Sequence, residues 1–114
     1  MSFSFNIEQD NGLVVIQLVG SLISNQQFEE LQNELDFHYN DEGLKLVLDL
    51  SQMEYMNSTG LGVLIHIFTQ IRNNGGEVVL VSIPENINKL LLITKLNSIF
   101  NVEETLADAK KILV

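Results

Sequence analysis

The feature that most constrains this chain is a change of hydrophobic period between Leu44 and Gly76. Leu44, Leu46, Leu48 and Leu50 alternate with Lys45, Val47 and Asp49, which is the period of a strand. From Leu61 to Ile71 the spacing lengthens to three and four residues, placing Leu61, Leu64, Ile65, Phe68 and Ile71 on one helical face. Gly75-Gly76 closes the run. The pattern predicts a strand over 44–50, a short loop through Ser51–Met56, and a helix opening at Asn57-Ser58-Thr59. A helix start leaves backbone N–H groups unpaired at the positive end of its dipole. A side-chain oxygen there caps the helix, and the same position suits a phosphate.

The flanking segments extend this unit on both sides. Phe3, Phe5 and Ile7 alternate with Ser4, Asn6 and Glu8. A turn at Asp10-Asn11-Gly12 leads into the nearly continuous apolar run Leu13–Val19. This predicts a hairpin of one half-exposed and one buried strand, ended by Gly20. Ser24 and Gln27 match a capping box that opens a helix over Asn25–Tyr39. Phe28, Leu31 and Leu35 form its inner stripe, and Asn40–Gly43 is its polar exit. After Gly75-Gly76, Glu77–Val81 reads as a buried strand. Ser82 and Glu85 around Pro84 read as a second capping box. The helix that follows runs to about Lys95, with Ile87, Leu90, Leu91 and Thr94 inward. Ile99–Val102 reads as a short edge strand and Leu106–Leu113 as a last helix.

The order β-β-α-β-α-β-α-(β)-α predicts an α/β fold: a mixed, mostly parallel sheet of four to five strands with about four helices. With 114 residues, a single domain over 1–114 is expected.

Charge and composition exclude several function classes. Fifteen acidic residues against six basic ones give a formal charge of −9, and the cations are scattered, so neither nucleic-acid phosphates nor an anionic membrane surface is an expected partner. The acidity keeps the chain soluble and would steer a basic protein toward it. Without cysteine there is no disulfide, thiolate metal site or cysteine nucleophile. No apolar run approaches the roughly 20 residues that span a bilayer, and MSFSFNIEQD has no signal-peptide character. A soluble, cytoplasmic protein without direct membrane insertion is expected.

No catalytic set emerges. His38 and His66 have no metal-ligand partner at helical spacing and read as surface residues. Ser58 sits in no nucleophile elbow. NSTGLG lacks the lysine of a phosphate loop and the third glycine of a dinucleotide fingerprint. No enzyme activity and no cofactor is expected. Helix capping alone accounts for Asn57 and Ser58. Gly60 and Gly62, however, each cost up to about 1 kcal/mol relative to alanine in a first helical turn. Either close packing or a partner approaching Ser58 explains them. Val63 and Ile67 fall off the main helical stripe, which points to an exposed or partner-covered flank or to a wide, deeply set apolar face.

LVLDLSQMEYMNSTGLGVLIHIFTQIRNNGGEVVLVSI resembles the core of STAS domains, specifically the anti-sigma-factor antagonists. The family's Asp-Ser-Ser/Thr-Gly-Leu-Gly stands here as Asn57-Ser58-Thr59-Gly60-Leu61-Gly62, with Gly75-Gly76 following as in the family. The resemblance implies that these six residues bind a partner and that Ser58 is the phosphorylation site. It implies an anti-sigma factor with serine kinase activity as that partner, and a PP2C-type phosphatase that restores the binding form. The unphosphorylated protein would then bind the kinase and release the sigma factor. A STAS domain docking constitutively in a lipid-transport or other signalling complex is the alternative the resemblance carries. A small-molecule or nucleotide-binding domain stands behind both. Thr59 is a second hydroxyl open to modification. Asn57 replaces the family's usual aspartate, which removes a negative charge and a base-like contact to the Ser58 hydroxyl. That bears on phosphorylation more than on binding.

Overall fold

Strand β1 (Phe3–Asp10) alternates half-buried and exposed residues, while β2 (Leu13–Leu22) is apolar on both faces, so the first is an edge and the second an interior strand. They pair antiparallel, from Phe3 against Gly20 to Asp10 against Leu13. Helix α1 (Asn25–His38), β3 (Lys45–Met56), α2 (Ser58–Asn73), β4 (Glu77–Val81) and α3 (Glu85–Ile93) follow. A 3-10 turn at Leu96–Ser98, β5 (Asn101–Glu103) and α4 (Leu106–Leu113) complete the order. The computed structural model describes residues 2–10, 12–39 and 42–113; the turn expected at Asn11 and the helix exit at Asn40 and Asp41 lie outside them.

Among the described residues one five-stranded sheet forms, ordered β1-β2-β3-β4-β5, with every pair after the hairpin parallel. This is the expected mixed α/β fold. Each crossover advances one strand in the same direction with the same hand, which stacks α1, α2 and α3 on one face. There Leu31, Leu35, Leu64, Ile67, Ile87 and Leu91 pack against Ile16, Leu48 and Leu80. The other face carries α4, whose Ala109 and Leu113 cover Leu13, Val15, Val47, Val79 and Val81. Lys110 pairs with Asp10 across the two ends of the fold.

Four expectations are corrected. The central strand does not stop at Leu50 but continues to Met56. Gln17 and Val19 face Asp49 and Gln52, and Gly20 and Ser21 face Met53 and Tyr55, so β3 carries an extra residue twice. Each bulge turns the strand, and the buried residues after Leu50 are Met53 and Met56, three apart. The Asp49 carboxylate accepts the Ser51 N–H at 2.9 Å beside the first bulge. Strand β2 likewise continues past Gly20. That glycine has φ +96°, and the Ser2 carbonyl lies so close that a side chain has no room; the same carbonyl accepts the Ser21 N–H at 2.9 Å.

Ser82 and Glu85 form no capping box. Ser82 instead directs its N–H and its hydroxyl to the Glu104 carbonyl, at 3.1 and 3.3 Å, tying the end of β4 to the residue after β5. Pro84 takes the N-cap position of α3 without a side-chain bond. Thr94, expected inward, is exposed and donates its hydroxyl to the Leu90 carbonyl at 2.8 Å. The Ser24–Gln27 box does form.

The Gly76 position is closed by its neighbours, since a methyl group there would overlap the Leu44 carbonyl and approach the Ile71 side chain at 2.7 Å. Gly76→Ala is therefore expected to destabilise the fold by about 1–3 kcal/mol, measured by urea denaturation.

Candidate functional site

The site follows from register. Leu22 and Met56 are Cα partners at the carboxyl ends of β2 and β3, and each strand passes directly into a helix. The two N-cap residues, Ser24 of α1 and Asn57 of α2, are thereby brought to one end of the sheet. Two sets of unpaired N–H groups and two positive dipole ends face the same way.

The polar triplet at the start of α2 divides its work. Asn57 is the cap: its Oδ1 accepts the Gly60 N–H at 3.0 Å, and its Nδ2 donates to the Ile23 carbonyl at 3.2 Å. Its own carbonyl accepts the first intrahelical bond from Leu61 N–H, at 3.0 Å. Ser58, the first helical residue, is exposed. Its hydroxyl makes no hydrogen bond among the described residues. Capping therefore explains Asn57 and leaves Ser58 unassigned. Thr59 is half-buried, Gly60 and Leu61 are buried, and Gly62 is exposed.

The two glycines have different reasons. A methyl group at Gly60 would overlap the Leu22 carbonyl and reach Met56 Cγ at 2.5 Å, so this glycine lets α2 pack on the end of β2. A methyl group at Gly62 would meet nothing within 4 Å. Nothing in the fold requires glycine there.

Helix α2 buries Leu61, Leu64 and Ile71 as its spacing predicts, but the stripe is shifted at its edges. Val63 and Ile67 are buried and belong to the core, while Ile65 and Phe68 are only half-buried. The helix packs on the sheet and beside α1, so its covered face is wider and extends toward α1. The deep apolar face, rather than an exposed flank, is the outcome. Phe68 meets the Phe100 ring edge-on at 5.3 Å, with the Arg72 guanidinium 5.4 Å from its centroid.

A groove of about 490 Å³ runs between α1 and α2, with Asn25, Phe28 and Gln32 on one wall and Thr59, Gly62 and His66 on the other. His66 is exposed and meets the Phe28 ring edge-on at 5.9 Å. Helix α1 has no lysine or arginine, and its Glu30 and Glu34 lie on the opposite side, lining a depression with Phe3 and Phe5 of β1. The motif around Ser58 is visible in sequence, but the α1 wall and the Ile23 carbonyl are not. The Ser24–Gln27 box marks where α1 begins; only the parallel pairing of β2 with β3 shows that it begins beside Asn57. Tyr55, 47% exposed just before the site, was equally hidden by the bulges in β3.

Three comparisons bear on this arrangement. The STAS domain model matches residues 4–109. An anti-sigma-B factor antagonist of Listeria monocytogenes is 31% identical over 104 residues, covering 90% of each chain. Among solved structures, a Thermotoga maritima protein superposes with a TM-score of 0.82 at 26% identity, covering 96% of this chain and 93% of its own. The Bacillus protein SpoIIAA in its phosphorylated form superposes with a TM-score of 0.70, covering 97% of this chain and 100% of its own, at 17% identity, which shows a shared fold.

The glycine pair gives a sharp contrast. Gly60→Ala is expected to destabilise by about 1–3 kcal/mol through overpacking. Gly62→Ala is expected to be neutral or to stabilise by up to about 1 kcal/mol through helix propensity. Paired urea titrations of the two variants check both.

Proposed function

Because the chain belongs to the STAS domain family, we propose that it acts as an anti-sigma-factor antagonist whose binding is switched at Ser58. The observation that carries this reading is the division of labour at the start of α2. Asn57 satisfies the helix end, leaving an exposed serine hydroxyl with no structural task at the surface where two helices begin. Gly62, one turn further on, keeps the flank beside it low for no reason internal to the fold. The relative's name supplies the class of partner, an anti-sigma factor.

In this reading, the unmodified surface from Asn57 to Gly62 docks on an anti-sigma factor that is also a serine kinase, and the sigma factor is released. Transfer of the γ-phosphoryl group of ATP to the Ser58 oxygen releases ADP and a proton, and adds about −1.5 to −2 charges. At the first residue of a helix that charge meets unpaired N–H groups and the positive dipole end, so the fold tolerates it. The cost falls on the partner surface as repulsion and lost fit. A PP2C-type phosphatase hydrolyses the ester and restores binding. The protein itself is a non-enzymatic switch working in the cytoplasm, and no helix of the described residues is long and apolar enough to cross a membrane.

Intact mass after incubation with ATP and lysate of the source cells tests the site. A single phosphate gained by the parent and absent from Ser58→Ala is the expected result. No phosphate, with a defined partner still bound, would favour a constitutive docking subunit. Ser58→Asp is expected to weaken binding to the purified anti-sigma factor at least tenfold, or about 1.4 kcal/mol, at nearly unchanged melting temperature. Gly62→Gln is expected to do the same by filling the open flank, read by calorimetric titration.

A further inference from the structure

The Asn57 side chain does more than end a helix. Its Oδ1 takes the Gly60 N–H at 3.0 Å while its Nδ2 reaches across to the Ile23 carbonyl at 3.2 Å, a residue on the connection between β2 and α1. From the other side, Gln27 holds the same connection. Its Oε1 accepts the Ile23 and Ser24 N–H groups at 2.8 and 3.1 Å, and its Nε2 donates to the Ser21 carbonyl at 3.0 Å. The short span from Ser21 to Ser24 is thus gripped between a glutamine of its own helix and an asparagine of the next.

Only a side chain with both a donor and an acceptor can make the two Asn57 bonds at once. Serine, threonine and aspartate all cap helices. Aspartate has no donor, and a serine or threonine hydroxyl has its donor and acceptor on one oxygen, which cannot stand at both the Oδ1 and the Nδ2 positions. Aspartate would set a carboxylate oxygen against the Ile23 carbonyl oxygen, two acceptors with no proton between them.

We propose that Asn57 is a positioning residue for recognition at Ser58: it fastens the start of α2 to the β2–α1 connection, so that a partner meets both helix starts as one rigid surface. Two features make this more than local tidiness. Ser58 follows Asn57 directly, so the backbone that presents the hydroxyl is the backbone the clamp immobilises. The groove beside Ser58 has one wall on each helix, with Asn25 one residue and Thr59 two residues after the N-caps. A loose connection between the helices blurs the spacing of those walls, and a binding partner then has to order them at its own expense. The role rests on Ser58 being the contact residue, whereas the clamp itself is a property of the isolated protein.

Asn57→Asp and Asn57→Ala separate clamp from cap. Amide hydrogen exchange on the isolated variants is read at Ile23, Ser24 and Gly60, and affinity for the purified anti-sigma factor is read alongside. In Asn57→Asp, Gly60 is expected to keep its protection, because an acceptor remains. Ile23 and Ser24 are expected to exchange about fivefold faster, the equivalent of one lost hydrogen bond. Affinity for the purified anti-sigma factor is expected to fall by about tenfold while the melting temperature holds. In Asn57→Ala all three amides lose protection. Parent-like exchange at Ile23 and Ser24 in Asn57→Asp would overturn the clamp, since Gln27 alone would then hold the connection. Faster exchange with parent-like recognition would overturn the positioning role. A parent protein that neither gains phosphate nor binds an anti-sigma factor would count against the switch reading, and the exchange pattern would still decide the clamp.

Discussion

The parallel pairing of β2 with β3 is the constraint on which the site depends. With Leu22 opposite Met56, the two strands end together, and the helices that follow begin together. The geometry does not come from the helices' own sequences. It comes from the register set upstream, where Leu13–Gln17 pairs residue for residue with Lys45–Asp49. The two bulges in β3 then lengthen that strand relative to β2, so that Met53 and Met56 both turn inward and Asn57 arrives beside Ile23. A regular strand of the same length would aim α2 elsewhere.

Close packing and open surface are divided along α2 in a way that separates the residues the core needs from those it leaves free. Gly60 is needed because the Leu22 carbonyl lies against it, and Val63, Leu64 and Ile67 anchor the helix in the core. Ser58 and Gly62 lie on the other side, exposed and without structural obligations. A change confined to that outer side acts on whatever docks there and leaves the core contacts in place. This is the arrangement a surface switch needs, because modification alters the partner's fit without unfolding the carrier.

Much of this was legible in the sequence because local patterns and tertiary packing agree. The alternation of Phe3–Glu8, the capping box of Ser24 and Gln27, and the strand–helix change of period around Asn57 each appear where expected. Where tertiary contacts override local pattern, the sequence misleads. A strand that breaks its period at a bulge looks like a loop, which is why Ser51–Met56 was not read as part of β3. A capping signal is ambiguous when another segment competes for the serine, as Glu104 does for Ser82. The apolar stripe of α2 was read for a helix covered on one side, and α1 covers a second. The partnership of Asn57 with Ile23 had no local signal at all, since it joins residues far apart in the chain.

The two faces of the sheet are unequally protected. Three helices and a large core cover one face, whereas the other relies on the eight-residue α4, whose buried contribution is Ala109 and Leu113. A helix of that length has little stability of its own. Its hold on the sheet is that small apolar contact, the partly buried Leu106 and the Lys110–Asp10 pair. Such an element is the natural first unit to detach in sub-global opening, baring Val79 and Val81 while the larger core stays intact. The more thinly covered face is thus the one turned away from the groove beside Ser58.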